Sequence, residues 1–239
     1  MAENSSYNID LKQLLESGAH FGHKTSRWHP KMAPYIHSKR DGSHIIDLVK
    51  TKESLEIALN QIEKLVAANK QVLLVGTKKQ AKSIINDLAK ETKMPFVSER
   101  WLGGMLTNNL TMSKRIKHLK ELELKLASGE LANKYNKLEI KKISDEIDYL
   151  NKLYGGIKDM NGLPAVMFVI DVHDDKNAVL EAKKLNIPIV GITDTNSDPT
   201  DITWPIPAND DAIKSLTLIS SYVKQAILKG QSSIKTKKQ

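Results

Sequence analysis

The stretch AVMFVIDVHDDKNAVLEAKKLNIPIVGIT, residues 165–193, decides the fold class. Its first part, 165–171, is a continuous apolar run of the kind that buried parallel strands show, and 187–193 is a second such run. Between them, residues 176–185 carry apolar side chains at helical spacing. A strand, a helix and a second strand in this order predict a right-handed crossover between parallel strands.

The same alternation continues on both sides of this unit. We predict further strands and helices in the segments 9–17 (helix), 44–48 (strand HIIDL), 51–69 (helix), 71–76 (strand QVLLVG), 79–92 (helix), 95–97 (strand), 203–207 (edge strand TWPIP) and 212–228 (helix). The prolines of TWPIP restrict that strand to an edge. The pattern predicts an α/β fold, Rossmann-like or flavodoxin-like, in which a doubly wound parallel sheet carries helices on both faces.

Residues 105–154 interrupt the alternation with about fifty residues that hold no strand signal and no proline. Two apolar stripes with a Ser-Gly turn at 128–129 predict an inserted antiparallel α-helical coiled-coil hairpin. Paired glycines at 103–104 and 155–156 indicate either a hinge or a close approach at its roots. The α/β domain would then comprise 1–104 and 155–229, and the lysine-rich segment 230–239 is expected to be a disordered basic tail.

Composition narrows the class of partner. The chain has 239 residues, 40% of them hydrophobic, and a formal charge of +8, so it has enough apolar side chains for a core and favours a polyanion. Nucleic acid is the leading candidate, ahead of an anionic membrane surface. The absence of cysteine excludes disulfides, thiolate nucleophiles and cysteine-based zinc sites. With no apolar run near 18 residues and no signal-peptide pattern at the N-terminus, we expect a cytoplasmic protein without membrane contact.

Residues 18–48, GAHFGHKTSRWHPKMAPYIHSKRDGSHIIDL, combine cations with flat rings. The cations are Lys24, Arg27, Lys31, Lys39 and Arg40, and the rings that lie between them belong to Trp28, His29 and Tyr35. This combination suits a phosphate backbone and exposed bases. Because regular periodicity occurs only at its two ends, we expect an irregular segment ahead of the first strand. The alternative is a surface loop whose rings pack locally and whose charges face water.

Two shorter motifs allow the same pair of interpretations. SERWLGGMLTNN (98–109) again places an arginine, Arg100, beside a tryptophan, Trp101, and these side chains either contact RNA or pack at the root of the inserted hairpin. VGTKKQAKS (75–83) lies at a strand-to-helix junction, where Lys78 and Lys79 either contact an external phosphate or belong to an ordinary turn.

The sequence offers weak support for an enzyme. Five of the seven histidines fall in 18–48, but their spacing matches no zinc motif. Asp194, Asp198 and Asp201 follow a predicted strand and could hold a divalent cation, although their composition is also that of a tight turn. No nucleophile, base or oxyanion device accompanies them, so we predict no catalytic residues, no cofactor, no metal ligands and no small-molecule substrate. The alternative is a flavodoxin-like nucleotide- or metal-binding enzyme that uses 75–83 and 194–201.

Several motifs together resemble one family. GAHFGHKTSRWHPKMAPYI, VGTKKQA, PFVSERWLGGMLTN, PAVMFVIDVHDDKNAVLEAKKLNIPIVGITDTNSDPT and IPANDDAIKSLTLI are similar, in order, to the bacterial small-subunit ribosomal protein S2 family. The similarity runs from about Asp10 to Lys229.

The resemblance implies a Rossmann-like sheet with a protruding coiled-coil hairpin and a non-enzymatic role in translation. It implies binding to small-subunit rRNA where the head and body of the subunit meet, beside neighbouring ribosomal proteins, and help in docking the mRNA-binding protein S1 where the organism has one. Carried onto this chain, the expected RNA contacts are His23 to Arg40 and Arg100 to Asn109, Asn108 included, with Lys78 and Lys79 at the sheet edge. A further hypothesis makes the hairpin the main interaction surface of an adaptor.

Overall fold

The computed structural model describes residues 7–129 and 135–237. In these ranges the strands are β1 (Phe21–Lys24), β2 (Ile36–Arg40), β3 (Ser43–Ile46), β4 (Val72–Val75), β5 (Phe96–Val97), β6 (Val166–Val169), β7 (Ile189–Thr193) and β8 (Trp204–Pro207). The α-helices are α1 (Leu11–Glu16), α2 (Leu48–Ala67), α3 (Lys82–Thr92), α4 (Asn109–Ala127), α5 (Lys137–Tyr154), α6 (Lys176–Lys184) and α7 (Ile213–Lys237). None of these helices is long and apolar enough to cross a membrane.

The main sheet has five parallel strands in the order β5-β4-β6-β7-β8. The prediction of an α/β fold with a parallel sheet is confirmed. The order of its strands is that of flavodoxin-like sheets, in which the direction of winding reverses between the first and third strands along the chain. Because all strands run the same way, the loops after β4, β6, β7 and β8 meet at one edge, where such folds bind their ligands.

Alternate side chains of the central strands enter two separate cores. Leu74 and Phe168 pack with α2, α3 and α7 on one face, whereas Leu73 and Met167 pack with α6 and the inserted helices on the other. All four side chains are almost fully buried. Burial on both faces explains why these strands are apolar without interruption.

Residues 18–48 are not the irregular segment that we predicted. They form a second, antiparallel sheet in the order β1-β3-β2, which we call the small sheet, with 3-10 turns at Thr25–Arg27 and Pro30–Tyr35. The strand predicted in 44–48 therefore belongs to this sheet and not to the main one. Asp41 and Gly42 join β2 to β3 with φ of 48° and 76°. Positive φ at both central residues is what the tightest hairpin turns require, and Asp-Gly is a preferred sequence for it.

The two helices of the insertion contact each other and the second core. Leu119 of α4 and Ile147 and Leu150 of α5 are buried in that core. His118 Nε2 lies 3.4 Å from Glu146 Oε1, and Asn151 Nδ2 donates to Glu123 Oε1 at 2.9 Å. At the second root, the Cα of Gly156 faces the backbone and ring of Phe96 so closely that a Cβ would overlap both. Gly156 therefore permits a close approach.

The last helix extends further than predicted. We expected helix to end at Leu228 and 230–239 to be disordered, but α7 continues to Lys237. Gly230 lies against Glu63 and Val66 of α2, and Gln231 Nε2 donates to the backbone oxygen of Thr92 at 2.7 Å. These contacts supply packing and a hydrogen bond that the lysine-rich composition did not reveal. Residues 238–239 lie outside the described ranges.

Candidate nucleic-acid interface and the charge cluster behind it

One surface of the small sheet carries cations around a half-exposed ring. Trp28 is 37% exposed, and its ring centroid lies 5.3 Å from that of buried His44. Lys39 Nζ lies 5.9 Å from the centroid of the Trp28 ring. The N–H of Thr25 donates to the oxygen of Gly42 at 2.9 Å, so the turn that follows β1 is held against the turn between β2 and β3. This contact brings two short basic runs together. We call the surface the basic face; it comprises Lys24, Arg27, Trp28, Lys39 and Arg40.

The cations of the basic face are poorly neutralised by the protein itself. Within the described ranges, no carboxylate lies within 4.0 Å of Lys24, Arg27 or Lys39. Arg40 Nε lies 3.6 Å from Asp41 Oδ2, but both side chains are more than 80% exposed, and such a pair contributes little. The basic face is therefore available to an external anion.

Two further predicted residues of this segment, Lys31 and His29, are tied to the loop after β7. Lys31 Nζ contacts Asp198 Oδ2 and Thr200 Oγ1, both at 2.9 Å, and the N–H of His29 donates to the oxygen of Thr195 at 2.7 Å. Burial raises the pKa of Asp198, but hydrogen bonds from Thr200 and Lys31 outweigh it and lower that pKa well below its ordinary value. Tyr35 is half-buried. Lys31 and His29 therefore attach the small sheet to the loop after β7, and the charge of Lys31 is already paired within the protein.

Lys78 does not face solvent, and our prediction that it contacts an external phosphate is corrected. Its ammonium lies 2.9 Å from Asp171, 2.8 Å from Asp210 and 2.7 Å from Asp211. Burial disfavours the charged form, but the three carboxylates outweigh burial and raise the pKa of Lys78. Its neighbour Lys79 is exposed.

His23 lies beside this cluster. Its Nδ1 is 3.1 Å from Asp194 Oδ2, and its Nε2 is 3.5 Å from Asp211 Oδ2. Contact with Asp194 raises the pKa of His23, although burial opposes the shift. Burial, together with the charges of Asp171 and Asp194, raises the pKa of Asp210 to about 7. His23 is thus part of an internal charge network, and its side chain is only 17% exposed.

Trp101 is also internal. It is 8% exposed, and its indole N–H donates to Glu181 Oε1 at 3.0 Å. Glu181 also accepts from Gly104 N at 2.7 Å, from Leu106 N and Thr107 N at 3.0 Å each, and from Thr107 Oγ1 at 3.1 Å. Burial opposes ionisation, but these donors lower the pKa of Glu181. Of our two interpretations of Trp101, the structure supports packing at the root of the insertion and not contact with RNA.

The other predicted residues remain on the surface. Arg100 is exposed next to the buried Trp101. Asn108 is also exposed and caps the N-terminus of α4, its side chain accepting from Thr111 N at 3.3 Å. No contact found within the described ranges joins them to the basic face.

Our sequence interpretation missed the residues that organise the site: Glu181, Thr195, Asp210 and Asp211. The two aspartates lie three and four residues after the end of β8, so the rule that strand ends meet at one edge could have found them. Glu181 carries no such signal, because its partners lie between 74 and 80 residues away in the chain.

Comparison with known proteins identifies the family. The model of the family described as ribosomal protein S2 matches residues 14–230. The chain belongs to the ribosomal protein S2 family. The small ribosomal subunit protein uS2 of Roseiflexus sp. (strain RS-1) is 48% identical to it over 231 residues, which cover 97% of this chain and 88% of that relative.

Membership of the ribosomal protein S2 family decides between the two classes of function considered above. The family consists of structural ribosomal proteins and not of enzymes, so the flavodoxin-like enzyme is excluded as an alternative. The resemblance that the sequence motifs indicated is confirmed over nearly the whole chain.

Proposed function

We propose that the chain binds small-subunit rRNA through the basic face as a structural component of the small ribosomal subunit. The single observation that supports this most directly is the set of cations around half-exposed Trp28, with no acid in the described ranges pairing with Lys24, Arg27 or Lys39. A phosphate backbone would supply the missing negative charge, and an unstacked base would cover the indole.

The residues of the basic face and the residues outside it would have different roles in binding. Arg40 and Arg27 present planar guanidinium groups that suit phosphate oxygens, whereas Lys24 and Lys39 act as point charges. Lys31 and His29 are held by the loop after β7 and would position the face. Lys79, Arg100 and Asn108 would form a second, separate contact with the rRNA.

The test is the salt dependence of rRNA binding. A variant with Lys24, Arg27, Lys39 and Arg40 changed to alanine should bind small-subunit rRNA more weakly. The slope of log affinity against log salt should fall by about 0.7 to 0.9 for each phosphate that the variant no longer neutralises.

The matched control removes four exposed lysines on helices: Lys12, Lys176, Lys184 and Lys214. It changes the net charge by the same amount and should leave the slope nearly unchanged. If both variants showed the same decrease in affinity and slope, binding would depend on overall charge, and the basic face would not be the interface.

We also infer that the chain sits where the head and body of the small subunit meet and helps to dock the mRNA-binding protein S1. The support is the family resemblance carried by the motifs in 18–48, 98–109 and 164–200. Small subunits reconstituted without this chain should retain less S1 after sedimentation, and adding the chain should restore it. Equal retention with and without the chain would contradict the docking role.

We further propose that α4 and α5 form an antiparallel coiled-coil hairpin that serves as an arm. Two apolar stripes that meet at buried Leu119 and Leu150 support this. In an antiparallel pair, successive contacts advance along one helix and go back along the other. The contacts 118–146 and 123–151 instead advance along both helices, so the direction of the pair is the point to test.

Paired cysteines distinguish the two directions in a chain that has no cysteine of its own. A disulfide should form in the variant Lys125→Cys/Glu139→Cys if the helices are antiparallel, and in Lys125→Cys/Leu153→Cys if they run the same way. Deleting 105–154 while keeping the flanking glycines then tests the arm itself. Unchanged association with the ribosome would show that the arm is not the anchor.

A further inference from the structure

A buried imidazole lies against the exposed tryptophan of the basic face. Trp28 is 37% exposed, whereas His44 of β3 is only 1% exposed, and the two ring centroids lie 5.3 Å apart. The ring planes are inclined by 41°. Aromatic rings at such a distance attract each other beyond the area that they bury. The position of the Trp28 indole therefore depends on the side chain at position 44.

The imidazole of His44 contributes no hydrogen bond to this arrangement. Among the residues that the structure describes, neither Nδ1 nor Nε2 of His44 has a hydrogen-bond partner, although both atoms are buried. A buried polar atom without a partner destabilises the fold, so most such atoms are paired. His44 thus serves the fold as a flat ring and not as a donor or an acceptor.

The surroundings of His44 keep its ring neutral. The charged and titratable groups of the elements packed against β3 are His23 and Lys24 of β1, Arg27 of the turn after β1, His37, Lys39 and Arg40 of β2, Asp41 of the hairpin turn and Asp194 of the loop after β7. Of these, Lys39 lies directly opposite His44 in the sheet. Within the described ranges, no carboxylate lies within 4.0 Å of the His44 ring. Burial, followed by the charge of Lys39, lowers the pKa of His44 below its ordinary value.

We propose that His44 is a positioning residue for rRNA binding, whose neutral ring supports the Trp28 indole so that the exposed part of the indole can stack on a base. This inference rests on the proposed function, since it takes Trp28 as a group that contacts rRNA. In this role, position 44 needs a flat ring and no proton. Protonation would place a second cation beside Lys39 at a buried position, so acid should weaken the support of Trp28.

Substitutions at position 44 of the full chain separate the ring from its nitrogens. His44→Phe keeps a flat ring and removes two unpaired polar atoms, so it should retain the rRNA affinity of the parent chain near neutral pH. His44→Ala removes the support, and affinity should fall about 2- to 10-fold, the factor that corresponds to the contribution of one aromatic pair. The control His37→Gln changes an exposed histidine of β2 and should bind rRNA as the parent chain does.

A double-mutant cycle shows whether His44 acts through Trp28. In a chain that already carries Trp28→Ala, His44→Ala should cause little further loss of affinity, because the ring that it supports is gone. Additive losses would overturn the proposal, since His44 would then contribute independently of Trp28. Unchanged affinity in Trp28→Ala alone would instead contradict the proposed role of Trp28 in rRNA binding, and the support of the indole would be decided by its fluorescence.

Tryptophan fluorescence reads the contact between the rings without RNA. A protonated imidazole quenches an adjacent indole, so the emission of the parent chain and of His37→Gln should decrease as pH falls below the ordinary histidine pKa of about 6.5. The decrease should be smaller in His44→Phe, and by the same amount in Trp28→Phe, which retains the other two tryptophans. Over the same range, the rRNA affinity of the parent chain should fall relative to that of His44→Phe. Identical pH profiles of emission in the parent chain and His44→Phe, or full affinity in His44→Ala, would overturn the proposal.

Discussion

Trp28 and Trp101 are the same residue type beside an arginine in each case, yet they occupy opposite environments. Trp28 is 37% exposed and faces Lys39, whereas Trp101 is 8% exposed and donates its indole N–H to Glu181. The exposed part of the Trp28 ring can stack on a base, whereas buried Trp101 stabilises the fold. The two side chains should therefore respond differently to substitution.

Trp28→Ala should weaken rRNA binding by about 1–3 kcal/mol, the contribution of one base stacked on an aromatic ring. Trp28→Phe should retain part of that affinity. Trp101→Phe removes the hydrogen bond to Glu181 and should lower the free energy of unfolding with little effect on the rRNA affinity of the folded chain. Filter binding and urea unfolding on the three variants would check this, and equal decreases in affinity for Trp28→Ala and Trp101→Phe would contradict it.

Asp175 should make stability depend on pH in an unusual direction. Burial raises its pKa to about 6, although Thr77 donates to it through N at 3.2 Å and through Oγ1 at 2.9 Å. The unfolded chain holds this proton less tightly, with an ordinary pKa of about 3.9. Between pH of about 4 and 6 the folded state therefore binds more protons, and rising pH lowers the contribution of Asp175 to the free energy of unfolding.

Asp175→Asn removes this contribution while keeping an acceptor for Thr77. Relative to the parent chain, its free energy of unfolding should rise between pH of about 4 and 6 by at most about 3 kcal/mol and then level off. Urea unfolding across this range would measure the difference. Asp148→Asn, which changes an exposed aspartate of α5, serves as control, and parallel curves for the parent chain and Asp175→Asn would show that Asp175 ionises normally.

At the scale of elements, Glu181 of α6 holds the loop between β5 and α4. Its carboxylate accepts from Trp101, Gly104, Leu106 and Thr107, so one side chain satisfies several otherwise unpaired donors of the loop. The loop leads directly into the insertion and carries Arg100. Its conformation, and with it the position of α4, depends on this single side chain from a distant part of the sequence.

Glu181→Gln should destabilise the fold by about 2–4 kcal/mol, because hydrogen bonds to a charged acceptor are removed and the new amide group faces N–H donors. Although burial opposes ionisation, hydrogen bonds lower the pKa of Glu181 in the folded chain. The contribution of the Glu181 carboxylate to the free energy of unfolding is therefore present at neutral pH and is lost as pH falls through the folded-state pKa. Denaturant unfolding measures the destabilisation, and hydrogen exchange at Gly104, Leu106 and Thr107 localises it. Lys184→Ala on the same helix should change neither; unchanged exchange in Glu181→Gln would contradict the role of Glu181 in holding the loop.

The elements that the sequence predicted best are those whose signals are local. β4, β6 and β7 were predicted because strands buried on both faces are continuously apolar. The small sheet was missed because its strands are short, because 3-10 turns at Thr25–Arg27 and Pro30–Tyr35 separate β1 from β2, and because the Asp41-Gly42 turn was not recognised as a hairpin signal. Arg27 and Trp28 lie on the surface as expected, whereas the burial of Lys78 and Trp101 depends on partners distant in sequence that no local pattern contains.

At the scale of the whole molecule, two sheets are joined through a small set of hydrogen bonds. Thr195, in the loop after β7, accepts from His23 N through Oγ1 at 2.8 Å and from His29 N through its backbone oxygen at 2.7 Å. Gly22 approaches Thr195 so closely that a Cβ would lie 2.6 Å from its Cγ2. Asn209 adds a third connection, donating from its N–H to the oxygen of Ala19 at 3.0 Å. The small sheet, which carries the basic face, is thus held by a seam that can be weakened without disturbing the main core.

Thr195→Val should open that seam selectively. The change keeps the shape of the side chain but leaves the N–H of His23 without its acceptor, at a cost of about 1–3 kcal/mol. Hydrogen exchange should accelerate at amides of β1, β2 and β3, while amides of β4 and β6 keep their protection, because local opening of a weakly attached unit need not involve the main core. Affinity for rRNA should fall as well, because the small sheet is attached to the main sheet in a smaller fraction of the molecules. The control Thr217→Val, on the exposed side of α7, should alter neither hydrogen exchange nor affinity. Uniform acceleration of exchange in both sheets would show instead that they unfold as one cooperative unit and that the basic face is as rigid as the main sheet.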